Sequence, residues 1–172
     1  MTAPSAAELF ERHHLTIFRF LRRMSGQSDV AEDLTQEVFL RVVRALESYR
    51  EQQQEQAWLF RIARNVFADR HRQAARVPAT VALDEVQVNT GEVSPTAGLA
   101  LDQALDRVPE HERTAFLLRE LGGLGYAEIA AVTDVTPDAV RNRIHRARLC
   151  LRAMLAGPLA QRRPRTEKET AS

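Results

Sequence analysis

Arg141, Asn142, His145 and Arg146 stand at helical spacing inside the stretch VRNRIHRAR, and these are side chains that can read base edges. An arginine fork pairs with guanine, and an asparagine amide with adenine, each through two parallel hydrogen bonds. A histidine can donate or accept there, depending on its protonation. Between Thr136 and Arg152 five arginines stand against one aspartate, a net charge of +4 within a few helical turns. Charge at that density suits the neutralisation of phosphates. Helical rotation points Arg143 and Arg148 elsewhere, toward phosphates or packing.

For such a face to enter a major groove, a second helix must hold it across the duplex. The stretch YAEIAAVTDVTPDAV supplies the parts. Ile129, Ala130 and Val132 give a short helix its apolar side, with Ala130 small enough for a close crossing. Asp134 occupies the turn position where glycine is usual, and a short polar residue tolerates the left-handed conformation better than most. Val135 plugs the turn. Thr136 is expected to cap the next helix, Pro137 to fill its first position and Asp138 to favour its positive end. Val140 and Ile144 then face inward. The pattern predicts a helix-turn-helix whose recognition helix turns Arg141, Asn142, His145 and Arg146 outward, toward a major groove.

A second cationic helix is expected in AWLFRIARNVFADRHRQAAR. Trp58, Leu59, Ile62, Ala63, Val66 and Phe67 form its apolar side, while Arg61, Arg64, Arg70, Arg72 and Arg76 make much of the remainder basic. Asn65 adds a planar donor and acceptor near the polar loop Tyr49–Gln56. A basic surface with an amide suits single-stranded nucleic acid, whose exposed bases can be hydrogen-bonded on their edges. Trp58 could stack a base, but its spacing with Ile62 favours core packing. The helix before it differs. Asp33, Gln36, Glu37 and Arg41 share its polar side, a mixed acidic and amide surface that would repel DNA. It fits either a solvated face or a docking site for a basic protein.

These elements fall into an all-α chain with two small helical domains. Residues 1–76 hold three helices: one with Leu9, His13, Ile17, Phe20, Leu21 and Met24 on one side and a break at Gly26; one with Val30, Leu34, Val38, Val42 and Leu46 in a stripe widened by Phe39 and Val43; and the cationic helix. Asp29 with Glu32 forms a possible capping box for the second. Residues 77–98 contain Asp84, Glu85 and Glu92, no lysine or arginine, and punctuating prolines and glycines. They read as a flexible acidic linker. Residues 99–156 carry a helix before Pro109, another to about Leu121, then the helix-turn-helix. The tail 157–172, with RRPR and TEKETAS, is expected to be disordered.

The 172 residues carry a formal net charge of +1, so the asymmetry lies in distribution rather than in the total. No apolar run is long enough to span a membrane. With no signal-peptide-like start, the expected location is cytoplasmic. Cys150 is the sole cysteine, which excludes an internal disulfide and suggests a small packing residue. The histidines show no metal-ligand spacing with it, so no metal site and no cofactor are expected. Asp69 and His71 lack partners at catalytic spacing, so no catalytic residues are assigned and the chain is read as a non-enzyme.

The sequence resembles the extracytoplasmic-function (ECF, group IV) sigma factors of bacterial RNA polymerase, in the sigma-70 family. VAEDLTQEVFLRV is similar to their region 2.2 and AWLFRIARNVFADRHR to regions 2.3–2.4. RVPEHERTAFLLRELGGLGYAEIA and VRNRIHRAR are similar to regions 4.1–4.2. The resemblance covers about residues 6–155. It implies a region 2 bundle and a region 4 helix-turn-helix that direct promoter-specific initiation. Asp33, Gln36, Glu37 and Arg41 would dock on the clamp helices of the largest core subunit. Arg61, Arg64 and Asn65, with the Tyr49–Gln56 loop, would hold the melted −10 strand and a flipped base. Thr136, Asp138, Arg141, Asn142, His145 and Arg146 would face the −35 duplex. The acidic linker would thread toward the RNA exit path, and Leu117, Leu118 and Leu121 would partly face the flap of the second-largest subunit. An anti-sigma protein is a further implied partner. A loop rich in glutamine at Glu51–Glu55 departs from the usual pattern, so the −10 base preference does not carry over.

The competing class is an autonomous helix-turn-helix regulator. It would have no need for the Asp33/Gln36/Glu37 face or for the Asn65 helix.

Overall fold

A computed structural model of the protein describes residues 4–50, 54–76 and 97–156, all in helices, turns and short connections. The expectations for residues 77–96, the Glu51–Gln53 part of the loop and the tail from 157 fall outside the described residues.

Helix α1 (Ala6–Ser25) starts at a reciprocal cap. The Ser5 hydroxyl accepts from the Glu8 N–H, and the Glu8 carboxylate accepts from the Ser5 N–H at 2.7 Å. The second bond holds the Glu8 carboxyl below the usual carboxylate range. The helix ends at Gly26, whose φ of 75° closes a left-handed cap on the Arg22 carbonyl. Leu9, Ile17, Phe20, Leu21 and Met24 are buried, as their spacing predicts. His13 lies beside them, its Nε2 2.6 Å from the Glu55 carboxylate.

Helix α2 (Ser28–Ala45) begins one residue before Asp29, with Gln27 as its uncapped N-terminal residue. The expected Asp29/Glu32 capping box therefore does not form, because Asp29 is already inside the first turn. Val38 and Val42 are buried, but Val43 is 57% exposed. A rotation of about 100° per residue carries the side chain after Val42 off the core stripe. A short 3-10 turn at Leu46–Ser48 closes this segment.

Helix α3 (Glu55–Arg76) packs Leu59, Ala63, Val66 and Phe67 against α1 and α2. Phe60, which the sequence pattern placed outside the apolar side, is 1% exposed and meets Phe20 edge-on at 5.3 Å. Its burial is completed from the second half of the chain: a Cβ on Gly122 would lie only 3.0 Å from its ring.

The second half comprises α4 (Ala97–Asp106), α5 (Glu110–Glu120), α6 (Tyr126–Thr133) and α7 (Pro137–Leu155). Helix α4 starts at Ala97, so Gly98 lies in its first turn rather than in the linker. Leu117 and Leu118 are 2% and 0% exposed, packed inside this bundle. The expectation that they face a partner is corrected: both side chains lie in the core, where α5 meets other helices of the chain. Leu121 is half-buried.

The two halves touch. Arg23 on α1 pairs with Asp102 on α4 at 3.2 Å. The Thr114 hydroxyl of α5 reaches the Met24 sulfur at 3.7 Å, and α6 lies along α3.

Candidate nucleic-acid interface

The helix-turn-helix forms from the local signals in its sequence. Glu128 accepts from the Gly125 N–H at 2.6 Å and starts α6. Asp134 ends it with φ 55°, the one non-glycine residue with positive φ among the described residues. The Val135 N–H returns to the Ala130 carbonyl at 3.1 Å. Thr136 then accepts from the Ala139 N–H at 3.2 Å, and Pro137 opens α7. Val140 and Ile144 are buried at 0% and 1%, so the rotation of α7 is fixed from below.

That rotation puts Arg141, Asn142, His145 and Arg146 on the exposed side. Arg141 pairs with Asp138 at 2.6 Å and lies 5.5 Å over the Tyr126 ring, so its stem is pre-oriented. Arg146 makes a long 3.8 Å contact with Glu112 of α5. Arg148 is held by Glu120 at 2.9 Å, and Arg143 is half-buried. Both stand apart from the outward set, as the helical spacing implied. Thr136 is occupied as a cap, and Asp138 as the partner of Arg141.

On α3, Asn65 and Arg61 are exposed and Arg64 half-buried. Both arginines are tied to the second half of the chain. Arg61 Nη2 donates to the Ala131 carbonyl at 2.6 Å. Arg64 Nη1 donates to the Val132 carbonyl at 3.3 Å and lies 3.5 Å from the Asp134 carboxylate. Trp58 is half-buried, packed on Tyr49 at 4.7 Å, and also borders a cleft of about 340 Å³ between α3 and α6. It is thus part core and part cleft wall.

On α2, Asp33 and Gln36 are exposed and Glu37 half-buried, at the spacing that places them on one face. Arg41 is tied within the chain, to Glu37 at 2.8 Å and to Asp69 of α3 at 2.8 Å. Asp69 also pairs with Arg72. Hydrogen bonds from Arg41 and then Arg72 hold the Asp69 carboxyl below its usual range, and those from Asp69 and Glu37 raise Arg41 further. Arg41 therefore orients the α2 face as much as it forms it. The sequence reading missed Leu40, which is 53% exposed beside Glu37 and, with Val43, makes this face partly apolar. The available signal was its position two residues off the Val30–Leu46 stripe.

Among the described residues no three His, Cys, Asp or Glu side chains are grouped to hold a metal ion. Cys150 is half-buried and free. Among them, too, no helix is long and apolar enough to cross a membrane.

The arrangement defines a class: a two-part helical protein with a helix-turn-helix and a second basic helix. The sigma-70 region 2 family matches residues 9–77, and the sigma-70 region 4 family matches residues 98–151. The chain is 33% identical over 155 residues to the ECF RNA polymerase sigma-E factor of Escherichia coli, covering 81% of both proteins. It is 37% identical over 161 residues to the ECF RNA polymerase sigma factor SigE of Mycolicibacterium smegmatis, covering 89% of this chain and 62% of that longer protein. Two solved structures share the fold. One is the sigma factor RpoE in complex with the anti-sigma factor NepR from Bartonella quintana (TM-score 0.77, 24% identity, 87% of this chain and 95% of that one). The other is CnrH in complex with the cytosolic domain of CnrY (TM-score 0.67, 27% identity, 89% and 88%).

The chain belongs to the ECF sigma factors of the sigma-70 family, RNA polymerase subunits that direct promoter-specific initiation. A free-standing regulator is not favoured, because the region 2 match covers the half that such a regulator would not need.

Proposed function

We propose that region 2 docks on core polymerase through Asp33, Gln36, Glu37 and Leu40, with Arg41 holding that face in place. Region 4 reads the −35 duplex through Arg141, Asn142, His145 and Arg146, with Thr136 and Asp138 at the entering end of α7. Arg143 and Arg148 serve phosphates or packing. Arg61, Arg64 and Asn65 hold the melted −10 strand, Asn65 on a base edge and the arginines on the backbone. The protein has no catalysis of its own and works in the cytoplasm, with core polymerase and promoter DNA as partners.

The observation that carries this reading is the outward face of α7: four base-reading side chains, two of them arginines, on a helix whose rotation is fixed by buried Val140 and Ile144. An anti-sigma partner is supported by the neighbouring sigma factor RpoE, whose solved structure is a complex with the anti-sigma factor NepR.

The test separates docking from DNA reading. Asp33→Ala with Glu37→Ala should weaken association with purified core polymerase, measured by fluorescence titration. Asn65→Ala should leave that association intact and reduce opening of a promoter. Unchanged core affinity in the first variant removes the docking assignment.

A further inference from the structure

The two arginines assigned to the −35 duplex are not held alike. Arg146 reaches the Glu112 carboxylate of α5 at 3.8 Å, too long for a firm hold. Arg141 is held by two groups at closer quarters. Its Nη1 donates to the Asp138 carboxylate at 2.6 Å, one turn back on α7. Its guanidinium also lies 5.5 Å over the ring of Tyr126, on α6. Asp138 is 85% exposed, and such a pair on a helix surface contributes little by itself. The support from outside α7 is the tyrosine.

Tyr126 is itself fixed. It is the first residue of α6, next to the Gly125 N–H that donates to Glu128. Its ring is half-buried and packed against the core. A second guanidinium, that of Arg119 on α5, lies 5.3 Å over the same ring. Arg119 is anchored in turn, its Nη1 donating to the Leu124 carbonyl at 2.9 Å. Arg119, Tyr126 and Arg141 thus link α5, α6 and α7 in a single row. The face of an aromatic ring carries negative charge density that attracts a cation above it. A tyrosine turns about only two side-chain torsions, so it makes a firm rest for the long stem of an arginine. Ordering that stem before DNA arrives lowers the entropy lost on binding.

We propose that Tyr126 is a positioning residue for −35 recognition: its ring holds the Arg141 guanidinium ready for one base pair and so sets discrimination there. Tyr126 reads no base itself. The arginine fork has five N–H donors, so the Asp138 bond at Nη1 leaves donors for a base edge. Arg146, with its long contact, has no such support and adapts as it binds. The inference rests on the assignment of Arg141 to base edges.

The test uses the full chain and a −35 duplex that it selects from a random pool, with variants of that duplex changed one base pair at a time. Affinities come from fluorescence anisotropy at fixed salt. Arg141→Ala identifies the base pair that Arg141 reads, as the position where discrimination flattens. Arg146→Ala identifies a second position in the same way. Tyr126→Leu should lower affinity for the selected duplex by roughly two- to fivefold, the range of an exposed cation–π contact. It should flatten discrimination at the first position alone. Tyr126→Phe keeps the ring and should restore both affinity and discrimination. In an Arg141→Ala background, Tyr126→Leu should have no further effect.

A merely structural role for Tyr126 would flatten both positions, or cost the same with and without Arg141. Either result overturns the proposal, as does unchanged discrimination in Tyr126→Leu. A loss in Tyr126→Phe as large as in Tyr126→Leu overturns it too, by assigning the effect to the hydroxyl, the mark of a phosphate contact. Equal loss on every duplex with Arg141→Ala instead removes the base-reading assignment, and the proposal falls with it.

Discussion

Replacing Arg146 with alanine removes a side chain that region 4 presents but barely uses for itself. Its ion pair to Glu112 is 3.8 Å long, and the arginine side chain is 68% exposed. A long pair whose arginine is mostly exposed contributes about 0–1 kcal/mol, so Arg146→Ala should hardly change the thermal unfolding midpoint. On DNA the balance differs. A bidentate arginine–guanine pair is worth about 1–3 kcal/mol of discrimination. Reaching the base means giving up the Glu112 contact, which reduces the net loss on a matched −35 duplex to about 1–2 kcal/mol. That corresponds to roughly 5- to 30-fold in affinity. Fluorescence anisotropy at fixed salt, on matched and scrambled −35 duplexes, measures it. Glu112→Gln should do the opposite by a few tenths of a kcal/mol, since it frees Arg146 without removing it. Equal losses on both duplexes would make Arg146 a phosphate contact, and no loss on either would take it out of the interface.

Two further outcomes follow from the caps and ion pairs. Thr136→Ala deletes the hydroxyl that accepts from the Ala139 N–H at 3.2 Å, and should destabilise region 4 by about 1 kcal/mol, read as a lower unfolding midpoint by circular dichroism. Asp69→Asn breaks the link from α3 to Arg41, a half-exposed network worth no more than about 1 kcal/mol. The Asp69 carboxyl titrates below its usual range when folded. Its contribution is therefore complete above the unfolded value of about 3.9 and is lost as pH falls through the lower folded value. Denaturation curves of the two proteins should differ at pH 7 and converge in acid; a constant difference would contradict the ion-pair origin.

The local parts of the protein were legible in its sequence because they rest on local physics. The cap at Thr136, the breaks at Gly26 and Asp134, and the inward Val140 and Ile144 each depend on neighbours within a turn or two. Phe60 was not legible, since its burial is completed by Gly122 from the other half of the chain. Leu117 and Leu118 were expected to partly face the flap from the resemblance alone, and an apolar run on a short helix does not reveal which of its residues the rest of the chain covers. The Asp29/Glu32 box failed for a smaller reason, a helix start shifted by one residue. For the candidate interface, spacing identified Arg61 and Arg64 as one basic face. It could not say that their hydrogen bonds go to carbonyls some seventy residues later, at Ala131 and Val132.

The most direct measurement is transcription in vitro by purified bacterial core polymerase on a pooled promoter library, with and without the protein. The expected result is a set of new transcripts that depend on the protein and begin downstream of shared −35 and −10 motifs. Sequence-specific duplex binding by the protein alone, with no new transcript from core polymerase, would contradict the assignment of both regions to promoter opening.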